Sequence, residues 1–307
     1  MDLSIVIPVK NEEEILNELV SRVLKTVREL TELFEVIFVT DVNRDKTFQI
    51  LKQMAKSNHH VKVLKLSRSH GQSIAILAGL KYSKGKAVII MDGDLQDIPE
   101  DIPRLYNKFQ EGYDVVYGVK DKKDDRMLMN FFAKIYIKVI NFLSDEKIDH
   151  NTNFFRIISR RTVDAMLSFP EKNPYFTSIA SSIGFPTSTI KVISGSRKTG
   201  ETKFSYITHI NVAINNLISY TTKPLKIILI IGFITSGVGF IHLVFIIIKT
   251  CFYGNAIGWS ILVALIILFG GLQLFFLGVI GGYLGRVFME VKNRPLYIVE
   301  EKIGDFE

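Results

Sequence analysis

Residues 87–97 read AVIIMDGDLQD, an apolar run that stops at a pair of carboxylates. A short apolar run of this kind predicts a buried parallel strand whose carboxyl end opens into a site. Asp92 and Asp94 are two positions apart, so on an extended backbone they point the same way, and Gly93 lets a ligand approach the main chain. Two hard oxygen donors suit Mg²⁺ or Mn²⁺ held together with a substrate diphosphate. The alternative is a strand that ends in a solvated acidic turn.

Strand and helix patterns alternate along the N-terminal part of the chain. The predicted strands are residues 3–9, 35–41, 61–66, 87–91 and 114–119. A helical pattern follows each of the first three strands. Such alternation predicts a doubly wound, mostly parallel α/β sheet, in which ligands bind beyond the carboxyl ends of the strands. The residues that fall at these ends are Pro8, Asp41, Arg68 and Asp92.

The composition indicates a soluble domain followed by membrane segments. Hydrophobic residues make up 48% of the 307 residues, and most of the excess lies after Lys223. The net charge of +7 fits an anionic lipid surface better than nucleic acid once membrane segments are present. The single cysteine, Cys251, excludes an intrachain disulfide and fits a reducing cytosol. No cleaved signal peptide is expected, because the chain starts with neither a basic nor a long apolar region.

Two long apolar runs, residues 227–248 and 259–283, are each long enough to cross about 30 Å of bilayer hydrocarbon. The connecting residues 249–258 carry a single charge. Basic residues lie at the outer ends of the pair, at Lys223, Lys226, Arg286, Lys292 and Arg294. The positive-inside rule therefore predicts a multi-pass protein of the inner (cytoplasmic) membrane with both termini in the cytosol.

Glycines in both runs permit close helix contacts, so a homo-oligomer is expected. His242 and Gln273 are interpreted as partners in helix-to-helix hydrogen bonds, because two spans are too few to enclose a polar pathway. A further apolar segment, residues 127–143, carries Lys134 and Lys138 one turn apart. It is interpreted as a helix in the membrane interface, with a buried core helix as the alternative.

Motifs along nearly the whole chain resemble those of family 2 glycosyltransferases of the GT-A fold. Within that family they are similar to the polyprenyl-phosphate glycosyltransferases, which include dolichol-phosphate mannose synthases and bacterial enzymes that glycosylate undecaprenyl phosphate. The motifs are residues 7–13 (IPVKNEE), Asp41 with Asp45 and Thr47, Leu66 to Arg68 with Gly71 and Gln72, residues 75–80, residues 91–97, Phe155 with Arg156, Arg197 with Gly200 and Lys203, and residues 283–286 and 291–295.

The resemblance implies a Rossmann-like GT-A domain over residues 1–220, two transmembrane helices within 225–285 and a cytosolic tail over 286–307. It implies inverting transfer of a sugar from a UDP- or GDP-sugar to a polyprenyl phosphate, with undecaprenyl phosphate favoured, at the cytosolic membrane face. The expected partners are a nucleotide-sugar donor, the lipid acceptor and membrane lipids, with Mg²⁺ or Mn²⁺ as cofactor.

The resemblance also implies roles for individual residues. The nucleotide pocket is expected to contain Pro8, Asn11, Glu12, Asp41, Arg68, Asp92 and Gly93. Asp41 is expected to bind near the base rather than cap a helix, whereas Asp45 is expected to cap. The expected metal ligands are Asp92, Asp94 and Gln96, and the expected catalytic residues are Asp94, Arg156, Arg197 and Lys203. The acceptor phosphate is expected at Lys120, Lys123 and Arg126, for which the alternative is a lipid-facing basic patch.

Four departures from the family pattern bear on activity. Thr40 stands in place of a first aspartate, Lys120 in place of an arginine, Thr202 in place of a serine, and Phe154 in place of an aspartate. Phe154 cannot act as a base, but a polyprenyl phosphate is already ionised near pH 7, so the nucleophile needs positioning more than deprotonation. Asp97 and Asp149 are candidates to fill the space. The alternatives are another acceptor, a catalytically impaired scaffold of membrane glycan assembly and, less favoured, a flipping channel.

Overall fold

The computed structural model describes residues 1–120, 152–169, 184–193, 195, 223–253, 259–292 and 294–306. These residues fall into two compact units. The first contains a sheet with its flanking helices and includes the last residues of the chain. The second contains two long helices.

The first unit contains eight described strands. They are β1 (Leu3–Val9), β2 (Phe34–Thr40), β3 (Val61–Leu66), β4 (Ala87–Ile90), β5 (Val115–Lys120), β6 (Thr152–Ser159), β7 (Thr187–Val192) and β8 (Val299–Ile303). The described helices of this unit are α1 (Leu16–Arg28), α2 (Thr47–Ser57), α3 (Gln72–Tyr82), α4 (Ile102–Phe109) and α5 (Arg160–Ser168). A 3₁₀ turn, Pro99–Asp101, precedes α4.

The strands form one sheet in the order β7-β5-β6-β4-β1-β2-β3-β8. Its centre is parallel, because β1 pairs in parallel with β2 and β4, and β2 pairs in parallel with β3. Among the described strands only β6 and β8 run antiparallel to their neighbours. The doubly wound, mostly parallel sheet expected from the sequence is therefore confirmed.

Alternating apolar residues of the central strands supply a core on each face of the sheet. Ile5 and Ile7 of β1 pack on the face that α1 covers, together with Leu16. Val6, between them in sequence, packs on the opposite face with Ile76 of α3. Both faces of these strands are buried, so their sequences are continuous apolar runs and do not alternate between apolar and polar residues.

The last strand returns the chain to this sheet after the two long helices. β8 pairs antiparallel with β3, with Val63 opposite Ile303 and Lys65 opposite Glu301. Lys65 also forms an ion pair with Glu300, with 2.7 Å between nitrogen and oxygen. The sequence predicts only a C-terminal tail over residues 286–307, so β8 is an addition from the structure.

The second unit contains α6 (Lys223–Tyr253) and α7 (Trp259–Val291). Stretches of both helices, Leu225–His242 and Leu268–Gly285, are long and apolar enough to cross a membrane, and none of their residues whose side chains the structure describes are buried inside the protein. The helices have 31 and 33 residues. At 1.5 Å per residue they exceed the roughly 30 Å hydrocarbon thickness of a bilayer. The predicted interfacial helix at residues 127–143 lies outside the described residues.

A buried ion pair joins the amino ends of the central strands, at the sheet edge opposite the site described below. Lys62 Nζ lies 2.8 Å from Glu35 Oε2, and their side chains are 6% and 0% exposed. The other oxygen of Glu35 accepts hydrogen bonds from the Ser4 hydroxyl at 2.6 Å and the Lys84 backbone N–H at 2.7 Å. Glu35 thus links β1, β2, β3 and the loop before β4.

We expect Glu35→Ala to lower the free energy of unfolding by about 3–5 kcal/mol, because it leaves the Lys62 charge buried without its carboxylate. Urea unfolding of the detergent-solubilised protein, followed by circular dichroism, measures this change. The control is Lys52→Ala, which removes a half-exposed ion pair with Glu301 and is expected to cost less than about 1 kcal/mol. Equal effects of the two substitutions would contradict the structural role of Glu35.

Candidate active site

A cavity of about 290 Å³ lies at the carboxyl edge of the sheet, beside the amino end of α3. It brings together residues that the sequence places far apart. Six of the predicted site residues line it: Pro8, Glu12, Asp41, Asp92, Gly93 and Asp94. Seven lining residues were not predicted as site residues: the apolar Val9, Val39 and Ala75, together with Lys10, Ser69, Gly71 and Gln72. These residues lie together because the strands pair in parallel, so that their carboxyl ends reach the same edge of the sheet.

Asp92 is held through both its side chain and its main chain. The side-chain amide of Gln72, at the start of α3, donates a hydrogen bond to Asp92 Oδ1. The Asp92 backbone N–H donates to Asp97 Oδ2 at 2.9 Å, and Asp97 is 1% exposed. Asp97 therefore supports the acidic turn through this hydrogen bond, and its candidacy to fill the space left by Phe154 stays a prediction.

Asp94 is held by Gln96. The backbone N–H of Gln96 donates to Asp94 Oδ1 at 3.0 Å, and its side-chain amide donates to Asp94 Oδ2 at 2.7 Å. In this arrangement Gln96 orients the carboxylate, and its role as a metal ligand stays a prediction. Gly93 has a packing reason beyond ligand access, because a Cβ there would lie 2.5 Å from Val9 Cγ1.

The donor set around this turn fits a hard divalent cation. Among the residues that the structure describes, no group of three or more His, Cys, Asp or Glu side chains could hold a metal ion. Mg²⁺ sites in nucleotide enzymes are commonly built from one or two carboxylates plus substrate phosphates, rather than from protein ligands alone. Asp92 and Asp94 supply such a pair at the cavity wall.

Asp41 lies in the cavity wall and interacts with Lys10. Lys10 Nζ lies 3.1 Å from Asp41 Oδ2 and donates to the Ser69 hydroxyl at 2.6 Å. The second oxygen of Asp41, Oδ1, is buried and has no hydrogen-bond partner among the described residues. The Asp41 side chain lines the cavity, and a carboxylate there can accept an N–H group of a ligand. Lys10 was not predicted as a site residue, although its position directly after β1 was a signal.

Asn11 and Asp45 join the loops that follow β1 and β2. Asn11 has a positive φ of 55°, and its backbone N–H donates to Asn43 Oδ1 at 3.0 Å. Asp45 accepts the backbone N–H groups of Thr47 at 3.0 Å and Glu13 at 3.2 Å. Asn11 is therefore a loop-joining residue outside the cavity lining, and Asp45 stabilises the start of α2.

The hydrogen bonds to Asp45 affect its titration. Burial raises the pKa of the Asp45 carboxyl, but hydrogen bonds from Thr47 and Glu13 outweigh burial, so its pKa lies below the ordinary value. A carboxyl whose pKa is lowered by folding stabilises the protein at pH values above the unfolded-state pKa.

Arg68 and Arg156 are not among the residues that line the cavity. Arg68 is exposed in the loop between β3 and α3, and its Nε lies 3.4 Å from His70 Nε2. Burial and the nearby Arg68 charge lower the pKa of His70, while Asp41 partly opposes them. Arg156 is fully buried on β6, opposite Ile90 at the end of β4.

Phe154 contacts Arg156 where the family commonly has an aspartate. The Arg156 guanidinium carbon lies 5.8 Å from the centre of the Phe154 ring and 5.1 Å from that of Tyr117. Arg156 Nε also donates to the Phe154 carbonyl at 3.2 Å. An aromatic face and a backbone carbonyl thus interact with the buried cation. The Lys120 side chain and residues Lys123, Arg126, Asp149, Arg197 and Lys203 lie outside the described part of the chain, so their roles stay predictions.

The family model for glycosyl transferase family 2 matches residues 4–167, which include the whole cavity lining. The chain belongs to glycosyl transferase family 2. This result confirms the family expected from the motifs and identifies the protein as a glycosyltransferase.

Related family members cover nearly the full chain. The prophage bactoprenol glucosyl transferase homolog of Escherichia coli strain K12 is 36% identical over 306 residues, covering 98% of this chain and 99% of that protein. The undecaprenyl-phosphate 4-deoxy-4-formamido-L-arabinose transferase of Photorhabdus laumondii is 33% identical over 307 residues, covering 99% of this chain and 94% of that protein. The chain therefore matches these relatives through its C-terminal helices as well as its sheet.

A solved structure supports the fold. Glucosyl-3-phosphoglycerate synthase from Mycobacterium tuberculosis, in complex with Mn²⁺, UDP and phosphoglyceric acid, matches with a TM-score of 0.52 and 16% identity. The match covers 71% of this chain and 76% of that chain. With the family match, it confirms the predicted GT-A class of fold.

We expect Asp45→Asn to lower the free energy of unfolding by about 1 kcal/mol near pH 7, because it removes a charged acceptor at a helix start. The folded-state pKa of Asp45 is lowered, so its contribution is present above the unfolded-state pKa of about 3.9. That contribution is lost as the pH falls through the folded-state pKa. Urea unfolding of both proteins at a series of pH values measures the difference.

The control for this prediction is Glu32→Gln, which removes the charge of an exposed carboxyl outside the two loops. It is expected to leave the free energy of unfolding nearly unchanged over the same pH range. If the difference between wild type and Asp45→Asn stays constant down to about pH 3, the proposed role of the Asp45 charge is wrong.

Proposed function

We propose that this glycosyltransferase moves a sugar from a nucleotide diphosphate sugar to a polyprenyl phosphate, with inversion at the anomeric carbon. The observation that carries the proposal is the cavity in which Asp41 and the Asp92–Asp94 pair line one wall. The relatives that match the chain from end to end, named for bactoprenol and undecaprenyl phosphate, support the lipid acceptor.

The donor is proposed to bind along the cavity, with its base near Asp41 and its diphosphate near the acidic turn. The Asp41 carboxylate in the cavity wall can accept an N–H of the base, and Lys10 offers a nearby positive charge. Asp92 and Asp94 would hold Mg²⁺ or Mn²⁺, which supplies charge compensation for the departing nucleotide diphosphate. The Mn²⁺ and UDP in the related solved structure support a divalent metal and a nucleotide donor.

The transfer step needs no protein base. A phosphate oxygen of the acceptor forms the new bond to the anomeric carbon, while the bond from that carbon to the diphosphate oxygen breaks and its electron pair leaves with the nucleotide. Since the phosphate is largely ionised above its second pKa of about 6, Phe154 in place of an aspartate is compatible with activity. Six basic residues are proposed to orient the phosphate groups and balance their negative charge. They are Arg156, Arg197, Lys203, Lys120, Lys123 and Arg126.

The membrane orientation is proposed from two independent arguments. Basic residues lie at the outer ends of the helix pair, which favours the cytosol for both ends. In addition, β1 to β7 precede α6, whereas β8 follows α7 and pairs with β3 in the same sheet. A chain that leaves one folded domain and returns to it through two spans must have both ends on one side of the membrane.

Lipid product formation tests the activity. Purified protein in detergent is incubated with undecaprenyl phosphate, Mg²⁺ or Mn²⁺ and a panel of radiolabelled UDP- and GDP-sugars. We expect one donor to yield a labelled, acid-labile lipid, and EDTA to abolish it. Asp94→Ala is expected to reduce the rate on the order of 100-fold, because an electrostatic contribution to the transition state is lost.

The matched control is Asp164→Ala, which removes an exposed carboxylate of α5 outside the cavity lining and should retain the wild-type rate. No labelled lipid from any donor, with nucleotide binding intact, would favour the catalytically impaired scaffold instead. If Asp94→Ala forms labelled lipid at the wild-type rate, the assignment of the acidic turn as the metal and diphosphate site is wrong.

The native Cys251 tests the orientation. It lies near the end of α6, close to the connection predicted to face outward. We expect a membrane-impermeant maleimide to label it in right-side-out vesicles. A Cys251→Ser protein with the substitution Ser57→Cys places the thiol at an exposed position at the end of α2, and is expected to label only after permeabilisation. The reverse pattern would contradict the proposed orientation.

A further inference from the structure

The segment that leaves β7 packs directly on the acidic turn. The Gly195 backbone N–H donates to the Gln96 carbonyl at 3.1 Å. A Cβ at position 195 would lie 2.2 Å from the Leu95 carbonyl oxygen, a separation that real Cβ atoms essentially never show. Only glycine permits this approach, because the obstacle is backbone and not a movable side chain.

A second contact anchors the same segment two residues earlier. The Ile193 backbone N–H donates to Asp101 Oδ2 at 2.7 Å, and Asp101 is 3% exposed. The other oxygen of Asp101 accepts from Arg104 at 2.7 Å. Residues 193 and 195 are therefore both bonded to the stretch that begins with the acidic turn and ends at the 3₁₀ turn before α4.

The turn itself has an unusual backbone. Leu95 has a positive φ of 62°, which is uncommon for a residue with a bulky side chain, and it is 3% exposed. Such a conformation persists where the surrounding structure over-determines it. The contacts of Gly195 with Leu95 and Gln96 supply part of that surrounding structure.

The position of Asp94 depends on this turn. Both hydrogen bonds that hold the Asp94 carboxylate come from Gln96, the residue whose carbonyl Gly195 holds. A displacement of the Leu95 and Gln96 backbone would therefore move the Asp94 carboxylate relative to Asp92. The geometry connects β7 to the acidic pair through a short series of backbone contacts.

We propose that Gly195, with Asp101 as its anchor, is a positioning residue of the donor site that fixes the acidic pair for the metal and diphosphate. This inference rests on the proposed function for its consequence in catalysis. The packing of Gly195 on the turn stands independently of that function. In sequence, Gly195 also precedes Arg197, for which a catalytic role is proposed, by two residues.

The test compares full-length wild type with Gly195→Ala in detergent, by hydrogen exchange and by Mn²⁺-dependent binding of UDP and GDP. The φ of Gly195 is outside the left-handed region, so alanine adds a steric contact without backbone strain of its own. We expect at least tenfold faster exchange of the Asp92 and Gln96 amides and at least tenfold weaker nucleotide binding in the presence of Mn²⁺.

The matched glycine control is Gly118→Ala on β5. Its Cβ would lie 3.0 Å from Val192 Cγ1 of β7 and 3.1 Å from the Phe155 carbonyl, so it disturbs β7 without touching the acidic turn. We expect Gly118→Ala to lower the melting temperature and to leave amide exchange at Asp92 and Gln96 as in wild type. A purely structural role for Gly195 would make the two variants behave alike, which would overturn the proposal.

Asp101→Ala and Asp101→Asn test the anchor without adding volume. Asp101→Ala removes the acceptor for Ile193 and is expected to speed exchange at Gln96, whereas Asp101→Asn keeps an acceptor oxygen and is expected to restore slow exchange. Unchanged exchange in both Gly195→Ala and Asp101→Ala overturns the proposal, and Asp101→Ala alone decides if Gly195→Ala does not fold. Absence of nucleotide binding in wild type would refute the proposed function, while the exchange measurements still decide the role of Gly195.

Discussion

Parallel pairing of β1 with β2 on one side and β4 on the other is the constraint on which the candidate site depends. In this register Val9 lies opposite Thr40, and Val6 lies opposite Ile90. The residues that follow these strand ends therefore emerge at one edge, where helix α3 begins. The buried pair of Glu35 and Lys62 ties the opposite edge, so the central strands are held at both ends.

The wall of the resulting cavity contains the carboxylates of Asp41, Asp92 and Asp94 and the ammonium group of Lys10. Two neighbouring carboxylates repel each other, and hydrogen bonds from N–H groups offset part of that cost. Gln72 supports Asp92, and Gln96 supports Asp94 twice. Lys10 lies by Asp41. Polar groups that are already oriented before a ligand binds need little reorganisation during reaction, which is the arrangement expected of a transferase that acts through charge stabilisation.

Transfer to a lipid phosphate changes which residues such an enzyme needs. An ionised acceptor removes the need for a base, so Phe154 in place of an aspartate is tolerable for the chemistry. Its ring instead lies near the buried Arg156 guanidinium. The apolar helices α6 and α7 have the length and composition for a membrane, and β8 returns the chain to the catalytic sheet beyond them. Fold and proposed acceptor therefore agree.

The sequence by itself determined the alternating strands and helices, the two apolar helices, the acidic turn and the family, because local periodicity and short motifs carry that information. It did not reveal β8, whose half-exposed residues form a strand only by pairing with β3. Nor did it reveal that Gly195 packs on Leu95 or that Lys10 contacts Asp41. These contacts join residues distant in the chain, and only tertiary structure brings their atoms together. Nor did it reveal that Asn11 joins two loops through hydrogen bonds with Asn43 and Arg44, and its role in nucleotide binding stays a prediction.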